Sequence, residues 1–139
     1  MNATLTLSEP TRFTAGILLL TIVTIQLGGA YLLRVVRGAV AATPFQVAFA
    51  RAGHAHAGVL VIFALVCQLF VDAVDLGGVG EILARDGVAL AAILMSAGFF
   101  LSSAGKDRAQ PNALIALVYL GATSLAAGTL TLGVALITS

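Results

Sequence analysis

Residues 53–71 read GHAHAGVLVIFALVCQLFV, a largely apolar run that contains no Asp, Glu, Lys or Arg. A helix needs about 20 such residues to cross a hydrocarbon core of roughly 30 Å, so this run is long enough to span a bilayer. Its apolar residues are continuous and do not alternate with polar ones, which argues against a strand of a closed barrel. The stretch therefore predicts a transmembrane helix that begins near Phe45 or near Gly53 and ends at Val71.

Three further segments have the same character, at residues 13–33, 83–103 and 113–137. Together with residues 45–71 they predict an all-α integral membrane protein of four transmembrane helices, with one membrane domain over residues 1–139. Only 9% of the residues are charged, against about 25% in soluble domains. The connections GAVAATP, DAVDLGGVGE and GKDRAQPN are short and contain Gly or Pro. Consecutive helices are therefore expected to be neighbours in an up-down-up-down bundle.

The basic residues are unevenly divided between the two ends of this predicted bundle. Five of the seven flank the first and third connections, namely Arg34, Arg37, Arg51, Lys106 and Arg108, while Arg12 and Arg85 lie at the opposite end. The positive-inside rule then predicts a protein of the cell membrane with loops 1 and 3 in the cytoplasm and both termini outside. The net charge is +1, which argues against nucleic acid as a partner, since binding it needs a concentrated basic face. The expected partner is the lipid bilayer.

Both histidines of the chain, His54 and His56, lie close after Arg51 at the start of the second helix. Ionisable groups inside a membrane are costly and usually mark a ligand site or a transport pathway. A neutral imidazole is also a common metal ligand. Residues two apart on a regular helix point about 200° away from each other, so His54 and His56 cannot both bind one ion there. Either histidine alone is a candidate ligand.

Antiparallel packing would bring polar residues of all four helices to the histidines. On the side of the membrane where helix 2 begins, helix 1 ends, helix 3 ends with two serines, and helix 4 begins. The candidate cofactor-binding residues are Tyr31, Arg34, Arg51, His54, His56 and Asn112, and the candidate metal ligands are His54 and His56. The alternative is that these residues cap helix ends and extend to lipid headgroups. The paired histidines are the feature that this alternative explains least well.

The run RAGHAHAGVLVIFA, residues 51–64, resembles the second transmembrane helix of the heme-copper oxidase catalytic subunit and of its short four-helix relatives. The resemblance implies that His54 or His56 is an axial ligand of heme b. It also implies that Arg51 or the bases of loop 3 pair with the heme propionates. A second axial bond would need Met95, a histidine of another chain or some partner subunit. The chain lacks the further histidines that hold copper in the full catalytic subunit, so it cannot build that oxygen-reducing centre.

A second resemblance starts from the same residues. The chain has basic residues after helix 1 and an Arg followed by a His at the start of helix 2. In this pattern it resembles the membrane glutathione-transferase and eicosanoid family. Those proteins are trimers whose cytoplasmic arginines hold glutathione. That family continues helix 2 with Asn and then Glu, whereas this chain has His56 and Val59 at those positions. Helix 3 of this chain also lacks the Arg and Tyr that the family has there. This resemblance therefore ranks second.

Three classes of function remain open. A membrane protein that binds heme or metal for electron transfer, sensing or cofactor handling would use the histidines directly. A proton or ion channel or a transporter would use the same His and Arg cluster as a gate. An accessory subunit of a larger membrane complex would need no site at all. The residues offer no Ser–His–Asp set and no paired catalytic carboxylates, so hydrolysis has no support.

Two remaining patterns concern packing and charge. Small residues recur on one side of helix 4 at Gly121, Ser124, Gly128 and Thr131, which favours close packing within the chain, with a homo-oligomer as the alternative. Asp72 and Asp75 are predicted to form a solvated helix end, with a cation site as the alternative. Arg85 and Asp86 are predicted to extend to the interface or to pair at the start of helix 3.

Overall fold

The computed structural model describes residues 6–139, and long helices make up most of them. These are α1 (Glu9–Val36), α2 (Pro44–Val71), α3 (Gly78–Ser102) and α4 (Ala116–Thr138), with a short 3-10 turn at Ala113–Ile115 directly before α4. No strand occurs among the described residues. Each of the four helices is long and apolar enough to cross a membrane. The prediction of four apolar helices is therefore confirmed, and the earlier of the two expected starts of α2 is the right one.

Local side-chain bonds explain where the first two helices begin. The Ser8 side chain accepts a hydrogen bond from the backbone N–H of Thr11 at the start of α1. At the start of α2, Thr43 and Gln46 form a reciprocal capping box, and Pro44 occupies the first helical position. Each cap satisfies an amide that the first turn of a helix leaves unpaired. Gly38 follows α1 with a φ of +73°, which a residue without Cβ adopts readily, and the chain turns there.

The helices pack in chain order, each against the next, with α2 and α3 in the middle. Ala64 of α2 and Ala84 and Ala91 of α3 are fully buried and lie in the apolar core. Two contacts define the direction of the chain. His54 near the start of α2 lies against Gly29 near the end of α1, and Arg85 near the start of α3 bonds the start of α1. Since Gly98 near the end of α3 also meets Val118 near the start of α4, consecutive helices are antiparallel throughout.

The closest approach is between α3 and α4. A Cβ placed on Gly87 would lie 2.9 Å from the Cα of Gly128, so these two backbones touch. The hydroxyl of Ser124 donates to the carbonyl oxygen of Gly87 at 2.8 Å. Gly121 meets the backbone of Met95 in the same way. The small residues of helix 4 thus serve packing within the chain, as their spacing predicts.

Candidate functional site

Two ends of the helix assembly carry polar side chains. The histidine end is where α1 ends and α2 begins, and it holds His54 and His56. The arginine end is where α1 begins, α2 ends and α3 begins, and it holds Arg85. Sequence reasoning selects the histidine end as the site.

At the histidine end, the rings of His54 and His56 face different helices. The helix α2 is continuous through both residues, so their side chains leave it about 200° apart. The His54 ring lies against α1, where a Cβ on Gly29 would come within 3.2 Å of its Cε1. The His56 ring lies against α3, with its centroid 4.9 Å from that of Phe99. The two imidazoles are therefore separate sites and do not form a chelating pair.

One ring nitrogen of His56 bonds its own helix. Its Nδ1 lies 2.7 Å from the carbonyl oxygen of Ala52, and a carbonyl can only accept, so Nδ1 carries the proton. In the neutral ring, Nε2 then holds the free lone pair, which is the arrangement found in metal-bound imidazoles. His56 also lines a groove of about 330 Å³ that is otherwise formed by apolar side chains of α2, α3 and α4, among them Val59, Met95 and Leu125.

His54 is held by shape rather than by hydrogen bonds. None of the hydrogen bonds found within residues 6–139 involves its ring. The glycine pair Gly28 and Gly29 makes room for the imidazole, since a Cβ on Gly28 would lie 3.5 Å from its Nδ1. Around either histidine, the described part of the chain brings no group of three His, Cys, Asp or Glu side chains together. A metal bound here would depend on one imidazole and on ligands from elsewhere.

The other candidate residues of the histidine end lie on separate surfaces. Arg34 and Arg51 are exposed. Tyr31 lines a hollow of about 500 Å³ together with Gln46, Ser103 and Lys106, and neither histidine lines it. Asn112 holds the start of α4: its side-chain oxygen accepts from the N–H of Leu114 at 2.8 Å, and its amide donates to the carbonyl of Leu101 at 3.0 Å. The expected polar residues thus share one end of the molecule without converging on one point.

The arginine end holds a buried network that the sequence did not predict. The Arg85 guanidinium donates through Nη1 to the hydroxyl of Thr11 at 2.6 Å. Its Nη2 lies 3.3 Å from a carboxylate oxygen of Asp72 and 3.4 Å from one of Glu81. Gln68 donates to the Arg85 carbonyl at 2.6 Å. Thr11 and Gln68 are fully buried, whereas the Glu81 side chain is 42% exposed, so this network joins α1, α2 and α3 and reaches the surface at Glu81.

Asp72 is the anionic centre of that network, which corrects the expectation of a solvated helix end. Its side chain is only 14% exposed, whereas Asp75 is exposed as expected. It accepts hydrogen bonds from the Ser8 N–H at 2.9 Å, the Ser8 hydroxyl at 2.8 Å and the Thr11 hydroxyl at 2.8 Å. Partial burial acts to raise the pKa of Asp72, but the bonds from Ser8, Thr11 and Arg85 outweigh it and lower the pKa. Arg85 therefore pairs across helices, with Asp72, and not with its neighbour Asp86.

This lowered pKa predicts a pH dependence of stability. A carboxyl whose pKa is lower in the folded state stabilises that state above its ordinary pKa of 3.8, and the stabilisation is lost as the pH falls through the lowered value. In detergent micelles, Asp72→Asn is expected to unfold at a lower temperature than the unmodified protein at neutral pH. The difference should shrink as the pH falls below about 4. Thermal unfolding by circular dichroism at a series of pH values measures it, and a difference that does not change with pH would contradict the assignment.

The network of the arginine end is structural in its chemistry. Its hydroxyl, carboxylate and guanidinium groups are mostly paired with each other, which favours a role in stability over one in catalysis or metal binding. The histidine end is therefore the better candidate for a ligand site in the described part of the chain. His56 is its strongest candidate ligand, because the bond from Nδ1 leaves Nε2 free to bind. No protein-family model, no curated protein and no solved structure matches this chain at a significant level.

Proposed function

We propose that the four helices cross a cell membrane in an up-down-up-down arrangement, with loops 1 and 3 in the cytoplasm and both termini outside. The length and apolar composition of each helix support this, and so does the excess of basic residues around loops 1 and 3. Large apolar side chains stay exposed along every helix, where lipid would cover them. Examples are Leu20, Ile62, Ile93 and Leu130.

Within this membrane domain, we propose that His56 binds a heme b, for electron transfer, sensing or cofactor handling. The observation that carries the proposal is the bond between His56 Nδ1 and the Ala52 carbonyl at 2.7 Å. This bond fixes the tautomer and leaves Nε2 as the ligand atom. His54 is the weaker candidate, because its ring fills the space that Gly28 and Gly29 leave on α1.

The surroundings of His56 fit a flat apolar macrocycle better than a small hydrated ion. The groove beside the ring is lined almost wholly by apolar side chains, and the nearby carboxylates that a hard cation would require are missing from its lining. Met95 lines the same groove, and its thioether is a soft ligand that suits heme iron. Arg51 and Lys106 are exposed at this end of the molecule but do not line the groove beside His56, so their pairing with the propionates stays a prediction from the resemblance. A bound heme would supply reversible one-electron chemistry, and the chain would tune it through burial and through the His56 hydrogen bond.

The test is an absorption spectrum of protein produced with a heme precursor, oxidised and then reduced with dithionite. We expect a Soret band that shifts on reduction in the unmodified protein and in His54→Ala, and its loss in His56→Ala. His54→Ala is the matched control, because it removes the same group two residues away. Circular dichroism confirms that both variants keep their helices. A colourless unmodified protein, or a band that survives His56→Ala, would refute the proposal.

A further inference from the structure

The hollow that Tyr31 lines at the histidine end is separate from the groove beside His56. It lies where α1 and α3 end and α2 begins, has a volume of about 500 Å³, and shares no lining residue with the His56 groove. That volume is within the range of roughly 300–1,000 Å³ that is typical of small-molecule sites. Apolar residues such as Ala50 and Phe100 line it together with five polar residues, namely Tyr31, Gln46, Ser103, Lys106 and Asp107. The hollow is therefore amphipathic.

Hydrogen bonds from the start of α2 hold loop 3, which forms one wall of the hollow. The side-chain amide of Gln46 donates to the carbonyls of Ser103 and Gly105 at 3.0 and 2.8 Å. The Thr43 hydroxyl donates to the carbonyl of Arg108. The two charged lining residues lie on the segment between these anchors, so their backbone is fixed before a ligand binds. Such preorganisation lowers the entropic cost of binding.

Lys106 and Asp107 give the lining one positive and one negative group. Both residues are exposed, so a ligand in the hollow can reach them. The ion pairs found among residues 6–139 all belong to Arg85 at the other end, so neither charge has an ionic partner in the described part of the chain. A ligand with one anionic and one cationic group would match both charges, whereas an anion alone would also meet the carboxylate.

The position of the hollow selects a lipid among such ligands. It lies at the ends of helices that we propose to cross the membrane, and it includes Tyr31, a residue type that is common where headgroups meet water. Four further bases at this end attract phosphate, namely Arg34, Arg37, Arg51 and Arg108. Phosphatidylethanolamine has a phosphate and a primary ammonium on one small headgroup. Phosphatidylcholine has the same charges, but its trimethylated nitrogen donates no hydrogen bond to a carboxylate.

We propose that this hollow binds the headgroup of phosphatidylethanolamine, with the phosphate at the Lys106 ammonium and the lipid ammonium at the Asp107 carboxylate. The acyl chains stay in the bilayer, beside the apolar surfaces of the helices. The inference rests on the membrane arrangement proposed above. It does not depend on heme at His56, because the hollow and the groove share no residue.

The experiment titrates the full-length protein in detergent micelles with dioleoyl phosphatidylethanolamine, phosphatidylglycerol or phosphatidylcholine, and native mass spectrometry counts the bound lipids. Because the acyl chains are identical, differences in binding report on the headgroup. We expect one phosphatidylethanolamine to bind at least about 3-fold more tightly than either other lipid. Lys106→Gln should weaken its binding roughly 3- to 10-fold, the value of one hydrogen bond. Asp107→Asn should remove the preference over phosphatidylglycerol, and Asn tolerates the φ of +50° at this position as Asp does.

The matched control is Arg37→Gln, which removes an exposed base from the same end that does not line the hollow. It should leave the binding of phosphatidylethanolamine unchanged. Equal weakening by Arg37→Gln and Lys106→Gln would overturn the proposal, because it would mean that diffuse attraction to the basic residues holds the lipid. Phosphatidylglycerol that binds the unmodified protein as tightly as phosphatidylethanolamine would also overturn it.

Two further measurements separate this site from a soluble ligand and from the membrane arrangement. Displacement of the lipid by equimolar glycerophosphoethanolamine, which has the headgroup without acyl chains, would show that the hollow takes a soluble zwitterion and would overturn the lipid assignment. A protein that stays soluble without detergent would refute the membrane arrangement itself. Equal binding of the three lipids would overturn the headgroup site and leave that arrangement intact.

Discussion

Replacing Gly128 by valine is expected to destabilise the folded protein by about 3 kcal/mol, because it forces two helix backbones apart. A Cβ at this position would lie 2.8 Å from the carbonyl oxygen of Leu83 and 3.1 Å from the Cα of Gly87. Both obstacles are backbone atoms of α3, so no change of rotamer relieves the clash. Separation of α3 and α4 would also break the bond from Ser124 to the Gly87 carbonyl. In lipid, where water does not drive helices together, such close packing is a main source of association.

The matched control for this change is Gly133→Val, five residues further along α4. A Cβ on Gly133 meets nothing within 4 Å, so the same gain in side-chain size occurs without a clash. Unfolding titrations in mixed detergent micelles, followed by circular dichroism, give the free energy of unfolding of both variants. We expect Gly133→Val to stay within about 0.5 kcal/mol of the unmodified protein. Equal losses in the two variants would mean that helix propensity, and not contact with α3, sets the effect.

The sequence predicted the helices well because their apolar runs are long. It placed the first helix at residues 13–33, whereas α1 extends over Glu9–Val36. Hydropathy marks only the apolar part of a helix, while the polar first and last turns depend on caps. The start of α2, near Phe45 or near Gly53, was likewise left open by hydropathy and is decided by a cap. Pro44 and the capping box at Thr43 were visible in the sequence and favour the earlier start.

The buried network at the arginine end could not be predicted from hydropathy or from capping residues. Asp72 and Arg85 flank a short connection, so their nearness was predictable, but their burial was not. Burial depends on how α2 and α3 rotate about their axes, and hydropathy does not fix that rotation when helices are apolar on all sides. One signal was available: Gln68 and Asp72 are four residues apart, and so lie on one face of the chain as it leaves α2. The partner on α1, Thr11, lies outside the apolar run that marked the first helix.

The histidine end was predicted in part. The rule that residues two apart point to opposite sides separated His54 from His56 correctly, because α2 is regular there. Which ring meets which neighbour depended on Gly29 and Phe99, and these positions follow from tertiary packing. Heme binding itself stays a prediction, to be decided by the spectra of the two histidine variants.

Replacing Arg85 by leucine is expected to cost about 3 kcal/mol, because it leaves the largely buried carboxylate of Asp72 without its cation. The Arg85 side chain is 10% exposed and is the one cation that the described structure places within 4 Å of the Asp72 and Glu81 carboxylates. Its loss also removes the donor that bonds Thr11 of α1 at 2.6 Å. Among the described residues, the hydrogen bonds left between the start of α1 and its neighbours would be those of Ser8 and Thr11 to Gln68 and Asp72. The control is Arg12→Leu, which removes an exposed Arg from the same end of the molecule and should cost little.

A double substitution separates the charge effect from lost packing. Asp72→Asn removes the anion that Arg85→Leu leaves unpaired, so the two changes together should cost less than the sum of the single losses. Unfolding titrations of the two single variants and the double variant at neutral pH give this coupling energy directly. Strict additivity would mean that Asp72 and Arg85 act independently. A cost for Arg85→Leu no larger than that for Arg12→Leu would mean that the network contributes nothing to holding α1 against α2 and α3.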